Sequence, residues 1–206
     1  ARAFASRRPS WLRDIPGGHA LVTLDSSPVL GMHPFRGTLL VATREGLYRI
    51  TGDLAVDNLG PTFRGPVRFA DNGNTVVMVD GARVFKYEAG DPTDSRSPFV
   101  ASQLAGPDIR PPATVSFFQG YFVFPDITSP LGRWYFSDLY STTVNGLNFA
   151  TAEQVPDPLR AIVPGGDFLW LFGSRSTEIW YNAGGAGVPF ARQQGAQSDI
   201  GIASSY

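Results

Sequence analysis

The sequence predicts an all-β fold, built of β-propeller-type blades of short antiparallel strands. Three observations carry that prediction. First, a glycine turn flanked by apolar runs occurs four times, centred on Gly37, Gly73, Gly120 and Gly166. Second, these glycines lie 36, 47 and 46 residues apart, and all-strand periods of about 40 to 50 residues mark propeller blades. Third, helix signals are poor, because Gly or Pro interrupts most windows that would sustain an apolar stripe.

Each unit reads in the same order. First strands alternate apolar and polar residues: Val67 and Phe69, Val115 and Phe117, then Leu159, Ala161 and Val163. Second strands are apolar at nearly every position, as in Thr75–Val79, Tyr121–Pro125 and Phe168–Phe172. An alternating strand buries one face, whereas a continuous apolar run buries both. Third strands carry aromatics: Tyr48, Phe85 with Tyr87, Trp134 to Phe136, and Trp180 with Tyr181. Two long connections, Glu88 to Pro112 and Ser141 to Asp157, are read as rim loops. Residues 1–18 are rich in Arg, Pro and Gly and read as an extended basic arm. The blades then occupy residues 19–206, with about four visible. Gly201 to Tyr206 reads as the opening of another strand. On this reading the four blades are part of a larger propeller that is incomplete at the C-terminal end.

Composition narrows the function classes. A chain of 206 residues buries about 70% of its unfolded surface, enough for a substantial core. There is no cysteine, which excludes disulfides, thiolate metal sites and cysteine nucleophiles. A net charge of −1 argues against a general nucleic-acid binder but leaves a local patch open. Basic charge is nearly all arginine, with Lys86 the only lysine.

The chemistry-bearing residues read as structural. His19 and His33 lie beside Gly or Pro and lack a nucleophile motif around them. Asp71, Asp80, Asp126, Asp138, Asp157 and Asp167 sit in turns, where Asp bonds backbone amides two residues on. A glycosidase pair needs two carboxylates converging across a sugar. Asp71-Asn72-Gly73-Asn74 resembles half a calcium loop but runs straight into a strand, so a hairpin turn is expected. Gly184 to Gly187 lacks the Lys-Ser/Thr pair of a phosphate cradle. Glu178 in an apolar strand calls for a partner, with Arg175 or Arg192 as candidates. Trp134, Trp170 and Trp180 read as core. No catalytic, cofactor-binding or metal residue is assigned.

A more specific series runs from Phe117 to Arg192. It comprises Phe117–Pro125, Trp134–Leu139, Asn148–Glu153, Pro156–Leu159, Leu169–Gly173, Ser176–Asn182 and Pro189–Arg192. In this order it resembles the packaged-DNA stabilisation proteins of short-tailed bacteriophages, also called tail hub or nozzle proteins. Ile15–Gly17, Gly65–Val67 and Ala70–Gly73 are similar to the same family. The resemblance implies a structural virion protein without enzymatic activity or cofactor. It further implies a propeller-rich ring, six copies around the tail axis below the portal and its adaptor. The ring would extend the channel, contact needle or fibre proteins, and retain packaged DNA until ejection. DNA would pass through the lumen without sequence-specific binding, and a wall of neutral net charge suits that passage. The alternatives are a glycan-binding propeller, a glycoside-hydrolysing propeller, and a complete four-bladed propeller.

Overall fold

The computed structural model describes residues 22–88, 102–104, 110–152, 156–185 and 187–205. The arm expected over residues 1–18, and with it His19, lies outside them. Among the described residues, sixteen strands form four sheets, each of four antiparallel strands in chain order. Blade 1 holds β1 (Val29–Phe35), β2 (Thr38–Thr43), β3 (Leu47–Ile50) and β4 (Val56–Asn58). Blade 2 holds β5 (Arg68–Asp71), β6 (Thr75–Val79), β7 (Val84–Glu88) and β8 (Ser102–Leu104). Blade 3 holds β9 (Ser116–Phe118), β10 (Tyr121–Pro125), β11 (Arg133–Ser137) and β12 (Val144–Thr151). Blade 4 holds β13 (Leu159–Gly165), β14 (Phe168–Gly173), β15 (Thr177–Asn182) and β16 (Phe190–Ser198). These are propeller blades, as the glycine-punctuated repeat predicts.

The first strands of successive blades touch in the order β1, β5, β9, β13. They therefore lie innermost, and β4, β8, β12 and β16 lie at the periphery. Among the described residues, β13 and β1 make no contact of similar extent.

Three clusters of buried side chains hold the blades together, one at each junction. Phe35, Leu40 and Leu47 of blade 1 meet Val76, Met78 and Phe85 of blade 2. Val77, Val79 and Val84 of blade 2 meet Phe122, Phe124 and Tyr135 of blade 3. Val123, Trp134 and Phe136 of blade 3 meet Leu169, Leu171 and Trp180 of blade 4. Alternate residues of β6 thus point into different junctions, which is why that strand is apolar throughout. Trp134, Phe136, Trp180 and Phe190 form the aromatic centre of the third junction, with Trp134 edge-on to Trp180 at 5.5 Å. Such geometry adds about 0.5–1.5 kcal/mol per pair beyond burial.

The fourth strands of blades 2 and 3 correct the sequence reading. The connection from Glu88 to Pro112 contains β8, and that from Ser141 to Asp157 contains β12. An outermost strand buries little, so its apolar pattern is weak. In β12 the exposed positions include Leu147 and Phe149 while Asn148 is partly covered, the inverse of the pattern that marks a strand. The strand expected after Gly201 is also absent, since residues 199–205 carry no strand. They lie instead along the β14–β15 turn, where the Ile202 N–H donates to the Gly173 carbonyl at 2.9 Å.

Two hairpins reach the left-handed region at two successive residues. Arg36 and Gly37 have φ of 48° and 74°, and Gln119 and Gly120 have 46° and 94°. This is the turn whose twist matches flanking strands. Asn72-Gly73, expected to do the same, has a positive φ only at Gly73, at 86°.

Candidate functional site

An up-and-down blade has two rims. One carries the β1–β2 type and β3–β4 type turns, and we call it the hairpin rim. The other carries the β2–β3 type turns and the links between blades. It is the more built of the two, because in every blade a carboxylate ties the turn to its surroundings. We call it the clasp rim.

In blade 1 the part-buried Asp25 accepts from the Thr43 hydroxyl at 2.7 Å, and from the Ser27 hydroxyl and amide. Thr43 Oγ1 in turn accepts from the Glu45 and Gly46 amides. In blade 2 the buried Asp80 accepts from the Ala82 and Arg83 amides, from the Arg83 guanidinium at 2.5 Å, and from the Arg64 amide of the preceding link. In blade 3 the buried Asp126 accepts from the Thr128 amide and hydroxyl, and its backbone bridges to Pro112 of the preceding link. In blade 4 the buried Asp157, itself in the link, accepts from the Ser174 hydroxyl, the Arg175 and Ser176 amides at 2.7 and 2.9 Å, and the Ser176 hydroxyl. The device recurs with variations. In blades 2, 3 and 4 a carboxylate accepts amides of the turn itself, and in blade 1 Asp25 reaches the turn through the Thr43 hydroxyl. In blades 2 and 4 the carboxylate also joins the turn to the link, whereas in blade 3 the Asp126 backbone does so.

Their titration follows from those bonds. Burial raises the Asp80 pKa, but hydrogen bonds from the Arg83 side chain, then the Arg83, Ala82 and Arg64 amides, outweigh it and hold it below 3.8. Asp157 is likewise raised by burial and carried below 3.8 by Ser174, Arg175 and Ser176. Asp25 follows the same balance through Ser27 and Thr43. Such groups favour the ionised form and are satisfied by fixed donors. They are poor proton donors for catalysis near neutral pH.

The remaining candidates fall on the hairpin rim or in the core. His33 Nε2 lies 2.8 Å from the Asp71 carboxylate and its ring stacks on Phe69 at 5.5 Å, so it joins blade 1 to blade 2. Asp71 also accepts the Gly73 amide, and Asn72 accepts those of Asn74 and Thr75, which completes a hairpin loop rather than an ion cage. Asp138 accepts from the Asn148 side chain at 2.7 Å, and Asp167 is exposed in its turn. Gly184 and Gly187 belong to the β15–β16 connection, which leads into a strand. Among the described residues, no group of three or more His, Asp or Glu is placed to hold a metal ion. Glu178 is buried and accepts the Trp180 indole N–H at 3.0 Å, while Arg175 is exposed. Trp134 and Trp180 are core, as expected. Trp170 is not, being 38% exposed on the outward face of blade 4. There it lines a shallow groove of about 220 Å³ with Thr177, Ile179 and Gly195–Ser198.

The six aspartates are therefore divided between two rims and do not converge on one site. Of the six expected in turns, Asp71 ends strand β5 and Asp157 lies in the link into blade 4; Asp25, whose partner Thr43 lies 18 residues on, was missed. Only the recurrence of a polar residue at the end of the second strand in blades 1 to 3, at Thr43, Asp80 and Asp126, signals the clasp; blade 4 has Gly173 there.

A family model described as bacteriophage P22 Gp10, beta-propeller, matches residues 37–206. No curated protein sequence matches the chain. Among solved structures, the N-terminal domain of Nup159 is similar at TM-score 0.52 and 13% identity, covering 80% of this chain and 47% of that one. Human WBSCR16 is similar at TM-score 0.49 and 11% identity, covering 83% and 54%. The WD40 domain of Toxoplasma gondii coronin is similar at TM-score 0.48 and 12% identity, covering 81% and 46%. The chain thus spans about half the length of these structures. At such identities a likeness speaks for fold alone.

Proposed function

The chain belongs to the Phage_stabilise family of bacteriophage virion tail proteins with a DNA-stabilising role, and we propose from that premise that it acts as a rigid structural wedge of the tail. Copies of the chain form a ring, six around the tail axis, below the portal and its adaptor. The ring extends the DNA channel and retains packaged DNA until ejection. Its partners are its own copies, the adaptor, needle or fibre proteins, and DNA that passes without sequence readout. It performs no catalysis.

One observation carries this reading. The family match over residues 37–206 covers the blades from β2 onward, whose junctions are filled by interlocked aromatic and aliphatic side chains. A propeller so built supplies a stiff platform, with turns and links free to vary as contacts. The carboxylates support the same reading, since the clasp groups are spent on backbone amides.

Electron cryomicroscopy of tails tests the ring. The expected result is propeller density for this chain in six copies around the axis, directly below the adaptor. Density confined to peripheral fibres or spikes would refute the ring and favour a glycan-binding role.

A further inference from the structure

The near-neutral net charge conceals a separation of charge between the rims. Five exposed arginines lie on the clasp rim: Arg44, Arg64, Arg110, Arg160 and Arg175. Arg44 and Arg175 occupy the β2–β3 type turns of blades 1 and 4. Arg64 and Arg110 occupy the links into blades 2 and 3, and Arg160 opens the inner strand of blade 4. The carboxylates of that rim are mostly withdrawn. Asp80, Asp126 and Asp157 are buried in the clasps, and among the described residues only Glu45 and Asp199 are exposed beside the arginines. The hairpin rim has the opposite balance. Asp53, Asp138 and Asp167 are exposed there, with Arg36 held by Asn74 at 2.8 Å.

We infer that the clasp rim is a binding surface for the phosphate backbone of duplex DNA, read without sequence preference. The inference rests on the tail reading above and assigns the face of the molecule that meets DNA. Arginine carries a planar fork that grips phosphate oxygens in pairs, and its charge is permanent. The five groups are spread over four blades rather than gathered at one. That spacing suits an extended polyanion with evenly repeated charge, and suits a compact acidic spot on a protein less well. The clasps contribute by holding the turns and links that present the arginines. Because the basic groups occupy a rim, the channel wall can stay near neutral while the rim holds DNA.

The test is equilibrium binding of this chain to a labelled random-sequence duplex across a salt series. A variant carrying Arg44→Gln, Arg64→Gln, Arg160→Gln and Arg175→Gln is compared with the single variant Arg36→Gln on the opposite rim. Each phosphate contact contributes about 0.9 to the slope of log affinity against log salt. The quadruple variant is expected to lose at least about tenfold in affinity at low salt and about three to four units of slope. Arg36→Gln should change neither. The four single variants at the exposed positions are measured alongside, each with an expected fall of about one unit, so the test does not depend on the quadruple variant folding. Unchanged slopes would overturn the inference. Equal competition by polyglutamate of matched charge would also overturn it, in favour of an acidic protein partner. Either failure, in particles that still leak DNA when the protein is missing, would remove the rim assignment and leave the tail reading standing.

Discussion

Blades 2 and 4 share a sequence pattern and differ in what covers it. In β6 of blade 2, Val76, Val77, Met78 and Val79 are all fully buried, because blades 1 and 3 close over its two faces. In β14 of blade 4, Leu169 and Leu171 are buried against blade 3, while Phe168 and Trp170 on the other face are each 38% exposed. An apolar run therefore identifies a blade strand. It does not identify how many neighbours that blade has. The same distinction separates Trp134, with no exposure at the third junction, from Trp170.

The largest test of this contrast is a pair of truncations. Trp134→Ala should cost about 3–5 kcal/mol in thermal or denaturant unfolding, through lost burial and the cavity left behind. Trp170→Ala should cost less than about 1 kcal/mol, as for surface positions. Equal losses would mean that the outward face of blade 4 is covered in solution.

A second pair contrasts the rims. Asp157→Ala strands the Arg175 and Ser176 amides and two hydroxyls, and should cost about 2–3 kcal/mol in denaturant unfolding. Asp167→Ala, on the hairpin rim, should stay within about 0.5 kcal/mol.

Acid extends that contrast. The folded pKa values of Asp25, Asp80 and Asp157 lie below the ordinary 3.8. Their stabilisation is therefore fully present above the unfolded pKa. It is lost as pH falls below about 4 and through the folded values. Melting temperature should be flat down to that point and then drop. Replacing the three by Asn should flatten the drop while lowering the plateau; a wild-type drop that begins near pH 6 would point to a different group.

The smallest effect concerns two turns. Gly37 and Gly120 both have positive φ, but a Cβ at Gly37 meets nothing, whereas one at Gly120 comes within 2.6 Å of Leu139. Gly37→Ala should cost about 1 kcal/mol from the left-handed backbone alone. Gly120→Ala should cost somewhat more, since Leu139 must move. The reverse order would show that the Leu139–Tyr140 turn yields freely.

What the residues disclosed follows from how much each strand buries. Second and third strands lie between neighbours, so Val76–Val79, Phe122–Phe124 and Trp134–Phe136 announce themselves by continuous apolarity. Outer strands such as β12 and β16 bury one face at most, and their sequences pass for loops. The carboxylate clasps were half legible. Asp80 and Asp126 sit at the turn they serve, but Asp25 and Asp157 act across the link, at separations no local motif records. The charge difference between rims was invisible in the total, because burial of three aspartates on one rim has no sequence signature.

The most direct test of the account is DNA retention. Phage lacking this protein would be assembled, purified, and their heads scored for packaged DNA with and without protein supplied in trans. The account predicts heads that package and then leak, restored to full by the protein. Full and stable particles without it, failing only at the cell surface, would contradict the account.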